Sequence, residues 1–145
     1  MPFNIRHTGI VVSDLEKSKT FYCDLLGFEV KKEMDESGEF IDNFSALKDV
    51  LVTTCKMTLP NGDMVELLCY KSHPAWLHGL TPRKMTQVGC SHFAVTVKNL
   101  DEVYDKLLSA GVKFNSPPQY SPDGFAKVTF CEDPDGSLIE LVEEL

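Results

Sequence analysis

The sequence predicts an α+β fold assembled from two copies of one module, each ordered strand, helix, strand, strand, strand. Three observations carry this. The stretch His7-x-x-Ile10-x-Val12-x-Asp14-Leu15-Glu16 returns as His92-x-x-Val95-x-Val97-x-Asn99-Leu100-Asp101. The stretch from Pro60 through Glu66 and Leu67 returns from Pro134 through Glu140 and Leu141. His7 precedes Gly27 by twenty positions, and His92 precedes Gly111 by nineteen. A module of this length copied once predicts a pseudo-two-fold arrangement rather than a solenoid of short repeats.

The elements follow in order. Ile5 to Val12 is β-branched and reads as a strand. Ser13 and Glu16 have capping-box spacing, so a helix is expected from about Asp14, with Leu15, Lys19, Tyr22 and Leu26 on one stripe and Gly27 as its stop. Phe28 to Lys32 reads as the second strand. Met34 to Asp49 is irregular; Phe40, Ile41, Phe44 and Leu47 suit a short helix, either packed on the sheet edge or serving as an apolar lid. Val50 to Leu59 and Met64 to Tyr70 complete the first module, residues 1–70. Residues 71–87 read as a linker, its Trp76 a core-edge or subunit contact and its His73 and His78 solvated. The second module, 88–145, has a strand at Val88 to Val97 and a helix after Asn99, with Leu100, Val103, Leu107 and Leu108 on its apolar face. A short strand at Val112 to Asn115, a Pro-rich loop to Gly124, and strands at Phe125 to Cys131 and Leu138 to Glu143 follow. The two modules are expected to form a single structural unit.

Bulk properties narrow the function. At 145 residues the chain fits one ordinary domain or two small modules with a common core. A formal charge of −8 excludes a nucleic-acid binder, which needs a basic face. No apolar run has membrane-spanning length, and Met1 to His7 lacks a signal peptide's pattern, so a cytoplasmic protein is expected. Five cysteines without C-x-x-C spacing read as reduced thiols rather than disulfides or a zinc cluster.

Each module sets one His early in its first strand and one Glu inside an apolar last strand. Burying an unpaired carboxylate is costly, so each Glu calls for a positive partner. Strand alternation places His7 with Gly9 and Val11, and Glu66 with Met64 and Leu68; His92 lies with Ala94, and Glu140 with Leu138 and Val142. If the first and last strands of a module are neighbours, its imidazole and carboxylate meet. Two modules then offer His7, Glu66, His92 and Glu140 to one divalent transition metal, of which Zn, Ni, Co, Mn and Fe all suit the donors. Four protein ligands leave coordination sites open for chemistry.

These residues also carry a family likeness. The motifs His7 with Val12 to Ser18, Phe21-Tyr22-x-x-Leu25-Leu26-Gly27-Phe28, Pro60 to Leu67, His92, and Asp133 to Leu141 resemble the vicinal oxygen chelate superfamily of glyoxalase I, methylmalonyl-CoA epimerase, extradiol dioxygenases and antibiotic-resistance proteins. The resemblance implies paired βαβββ modules forming a U-shaped mixed sheet around a metal. A His-Glu-His-Glu set is most similar to glyoxalase I. That likeness implies a lyase or isomerase moving a proton next to a carbonyl through a metal-bound enediolate, with Glu140 the first candidate base and Glu66 the second. The alternatives are a methylmalonyl-CoA-type epimerase and a non-catalytic binder of a drug or metabolite. The expected partners are a small carbonyl or thioester substrate and a second copy of the chain in a homodimer, with neither nucleic acid nor membrane. Arginine is scarce, with only Arg6 and Arg83, so lysines would have to meet any substrate carboxylates such as those of glutathione.

Overall fold

Two four-stranded sheets organise the chain, one in each of two compact units, Met1–Leu77 and His78–Leu145. The computed structural model describes residues 3–74 and 85–145. Trp76 and His78 lie outside the described residues.

In the first unit β1 (Thr8–Val11) leads into α1 (Leu15–Lys19). The helix begins where the Asp14 carboxylate accepts from the Lys17 amide at 3.0 Å. The N-cap is therefore Asp14 and not Ser13, because Asp14 is the residue with extended backbone one step before the first helical turn. At Thr20 the ladder widens into a π-helical segment, Thr20–Leu25, closed by the Leu26 amide on the Phe21 carbonyl and by Gly27 at a φ of +83°. Then come β2 (Glu29–Ser37), α2 (Glu39–Ser45), β3 (Leu51–Thr58) and β4 (Met64–Tyr70).

The sheet order is β1-β4-β3-β2, with β1 parallel to β4 and the other pairs antiparallel. The two faces differ. One buries Cys55, Met57 and Leu67. The π segment packs there: the Cys23 thiol reaches the Met57 sulfur at 3.8 Å, and Phe21, Tyr22 and Phe28 stack edge-to-face in succession. The other face carries Glu66. Ile41 of α2 joins Val50, Val52, Leu68 and Tyr70 at its far end, while Phe40 and Phe44 stack edgewise on each other in solvent.

The second unit repeats the plan with β5 (His92–Thr96), α3 (Leu100–Ser109), β6 (Gln119–Tyr120), β7 (Ala126–Glu132) and β8 (Leu138–Glu144). Its order, β5-β8-β7-β6, repeats that of the first sheet, again with one parallel pair, β5 with β8. Here β5 is shorter than the expected Val88 to Val97. Val112 to Asn115 makes only a single bridge, Phe114 with Cys131, and the edge strand falls instead inside the Pro-rich stretch. Ile139 and Leu141 alternate with Glu140 and are fully buried; Leu100 and Leu107 of α3 are buried likewise.

Candidate metal centre

Each glutamate is placed by its parallel pairing. Glu66 lies opposite Gly9, and Glu140 lies opposite Ala94. The histidine stands two residues before that small neighbour in both units, which puts imidazole and carboxylate in diagonal contact on one face. His7 Nε2 comes to 3.9 Å from Glu66 Oε1, and His92 Nε2 to 3.2 Å from Glu140 Oε2. The two tight corners that feed β4 and β8 are equivalent as well. Gly62 and Gly136 take φ of +92° and +85°, and their amides close on Leu59 and Asp133.

The surroundings of the two pairs differ. The Glu66 side chain is 11% exposed and that of Glu140 24%. Ser91 Oγ bonds His92 Nδ1, leaving Nε2 as the nitrogen that faces the carboxylate. The Phe130 ring stands edge-on to the imidazole at a centroid distance of 4.9 Å. In the first unit the residue opposite Glu66 is Lys56. Lys56 precedes Glu66 by ten residues, as Phe130 precedes Glu140. That equal spacing was the signal available in the sequence for both side chains, which motif reading alone passes over. Ser91 carries no such signal.

The donor chemistry suits a divalent ion. Two ligands bonded at about 2.0–2.2 Å to one ion stand roughly 3.0–3.4 Å apart for angles between octahedral and tetrahedral, and the His92–Glu140 pair already has that separation. The His7–Glu66 pair is several tenths of an ångström wider. Nε2 opposed to a carboxylate, with Nδ1 of His92 held by a hydroxyl, is the usual supporting arrangement for an imidazole ligand. Of the four residues singled out in the sequence, the structure brings together His7 with Glu66 and His92 with Glu140. Among the described residues no three His, Cys, Asp or Glu side chains gather into one group.

Residues 4–141 match the Glyoxalase/Bleomycin resistance protein/Dioxygenase superfamily. The chain belongs to this superfamily. Among its relatives is a probable lactoylglutathione lyase from Synechocystis sp., 31% identical over 139 residues that cover 94% of this chain and 92% of that protein. Solved structures agree. A glyoxalase family protein from Bacillus cereus superposes with a TM-score of 0.88 at 23% identity, covering 100% of this chain and 96% of the other. The trypanothione-dependent glyoxalase I of Leishmania major does so with a TM-score of 0.67 at 25% identity, over 99% and 88% of the two chains. The superfamily accounts for the twice-used βαβββ order. Its members include enzymes and resistance proteins.

Proposed function

We propose that the protein is a metal-dependent lyase or isomerase of the glyoxalase I type, with one divalent transition metal held by His7, Glu66, His92 and Glu140, within a chain or across a homodimer. The observation that carries this reading is the equivalent pairing of an imidazole Nε2 with a carboxylate in both units. The relatives named as lactoylglutathione lyases and the Leishmania glyoxalase I support it. When bound, the metal would act as a Lewis acid on a substrate carbonyl and make the adjacent C–H acidic. The protein's own part is to orient the substrate and to move the proton. Glu140 is the better base, because its carboxylate is the more accessible of the two. Glu66, more enclosed, is the better fixed ligand.

The test combines metal analysis with turnover. Protein purified without added metal should hold, or take up at micromolar concentration, about one transition-metal ion per site. It should then isomerise the hemithioacetal of methylglyoxal and a thiol. Glu140→Gln should lower kcat by a factor of about 10²–10⁴, the range for loss of a general base, while His7→Ala should lose the metal itself. A wild-type protein that takes up no metal, or a Glu140→Gln variant of undiminished kcat, would refute the assignment. Scrambling of a 2-methylmalonyl thioester without hemithioacetal turnover would instead select epimerisation.

A further inference from the structure

The sheet face that bears His7 and Glu66 also bears positive charge that the metal pair does not use. Lys56 stands directly opposite Glu66, and Lys32 stands directly opposite Lys56 on the edge strand β2. Residues opposite one another in an antiparallel ladder share a face. A row therefore crosses the sheet: Lys32, Lys56, Glu66, Gly9, with His7 two residues away. At a strand spacing of about 4.8 Å, Lys56 is one strand from Glu66 and Lys32 is two. A β-bulge adds to the charge. The register slips between Val30 and Lys32, which leaves Lys31 as the unpaired residue of the bulge, next to Lys32. Two lysines thus share one face, with a third next to them in sequence, in a chain whose formal charge is −8.

Like charges placed directly opposite each other destabilise a sheet. Three lysines of this chain relieve their charge on acids, Lys19 on Glu33 at 2.9 Å, Lys71 on Asp35 at 3.3 Å, and Lys127 on Asp101, while Lys17, Lys48, Lys98 and Lys113 make no ion pair among the described residues. Among the described residues neither Lys32 nor Lys56 has such an ion pair. Nor is the charge a property of the module. The second unit has Phe130 where the first has Lys56, and that ring packs on His92. The first unit thus carries lysines without a close ion pair beside its imidazole–carboxylate pair, and the second carries an aromatic ring at the matching position.

We propose that Lys32 and Lys56, with Lys31 beside them, form an anion subsite that holds a carboxylate or phosphate group of the substrate. The proposal rests on the function given above, since it takes the His7–Glu66 pair to mark the reacting end. It assigns the substrate an anionic group one or two strand spacings from that end. It also accounts for recognition in a chain with two arginines. Ammonium groups bind such oxyanions as point charges with up to three donors each.

The experiment reads binding apart from turnover. Amide ¹H–¹⁵N spectra of the full-length protein, metal-free and zinc-loaded, are followed during titration with succinate, with inorganic phosphate, and with chloride at matched ionic strength. Saturable shifts at Lys32, Lys56 and Glu66 in the metal-free protein, with succinate or phosphate but not chloride, are expected. The stronger of the two names the source, carboxylate or phosphate. Lys32→Met and Lys56→Met should each weaken binding about tenfold, the scale of one charge-assisted hydrogen bond, and Lys56→Arg should retain it. Lys32 is exposed, so its variant folds even where Lys56→Met does not. Its Tm should be unchanged or higher, because a repulsion is relieved. Shifts no larger than those with chloride, full binding in the double variant, or a lowered Tm in Lys32→Met would overturn the subsite. A protein that binds succinate but takes up no metal would keep the subsite and lose the metal reading. One that turns over a hemithioacetal with KM unchanged in the double variant would do the reverse.

Discussion

His92 is held from three sides: Ser91 at Nδ1, Glu140 at Nε2, and the edge of Phe130. The hydroxyl matters because it fixes which nitrogen faces the carboxylate. Ser91→Ala should weaken zinc binding by about tenfold or more, the usual cost of removing such a support. Competition with a chromophoric chelator measures it, and Ser91→Thr should restore it. The thiols give a second prediction at this scale. Burial pushes Cys131 up to about 12 and Cys55 up to about 11. Both should resist a thiol reagent at pH 8 in the native protein and react on unfolding, while the exposed Cys90 reacts at once. The sign of the linked stability follows. Above pH 9 the unfolded chain releases protons from these thiols that the folded chain retains, so stability falls as pH rises from 9 towards 12. Replacing Cys131 by Ala should flatten that fall in a series of thermal melts. At this scale the four ligand candidates were legible because both copies place the same residue types at matched positions. Ser91 was not, and Lys56 and Phe130 show only as positions equally spaced before their glutamates, since their roles depend on register, and strand pairing is invisible until the partner strand is known.

Among the elements, α3 has an unusual start. Asn99 holds its backbone in the left-handed region at a φ of +53° and gives no side-chain cap. The Glu143 carboxylate, forty-three residues on, accepts from the Leu100 amide at 3.0 Å instead. A negative group there also faces the positive end of the helix. Glu143→Ala should cost about 1 kcal/mol, the typical worth of an N-cap, and Leu107→Ala about 2–5 kcal/mol through the cavity it leaves; urea unfolding measures both. The helix after Asn99 was legible in the sequence, but the group that caps it was not, because a capping group can come from a distant strand. Similarly, β2 runs on to Ser37, well into the stretch whose mixed Met34–Asp49 composition hid it. Its residues are almost all exposed, and an exposed edge strand has no apolar alternation to read. By contrast Met64–Tyr70 is buried or half-buried throughout, on both faces, and its bounds were read directly.

For the molecule as a whole, the proposed metal centre would link metal uptake to folding. A ligand bound only by the native state raises stability by about 2.7 kcal/mol at a hundred times its dissociation constant. The proposed centre therefore predicts a Tm that rises with added zinc and falls back on dialysis. It also predicts that His7→Ala abolishes the response, whereas Leu107→Ala lowers the Tm but keeps it. Differential scanning fluorimetry suffices to tell these apart.

The duplication has a consequence within the first helix. The helical run Leu15 to Leu25 covers eleven residues where α3 has ten, and both begin eight residues after their histidines. The one-residue difference between the His-to-Gly intervals is thus stored in the widened turns from Thr20 to Leu25. A helix ordinarily cannot absorb an inserted residue, since every later side chain would swing by about 100°; a π turn takes it up locally. Shortening this chain by Asp24 should therefore return the segment to plain α geometry and leave the Tm within a few degrees. The same excision at Asp105, where no slack exists, should turn Leu107 out of its core and unfold the second copy.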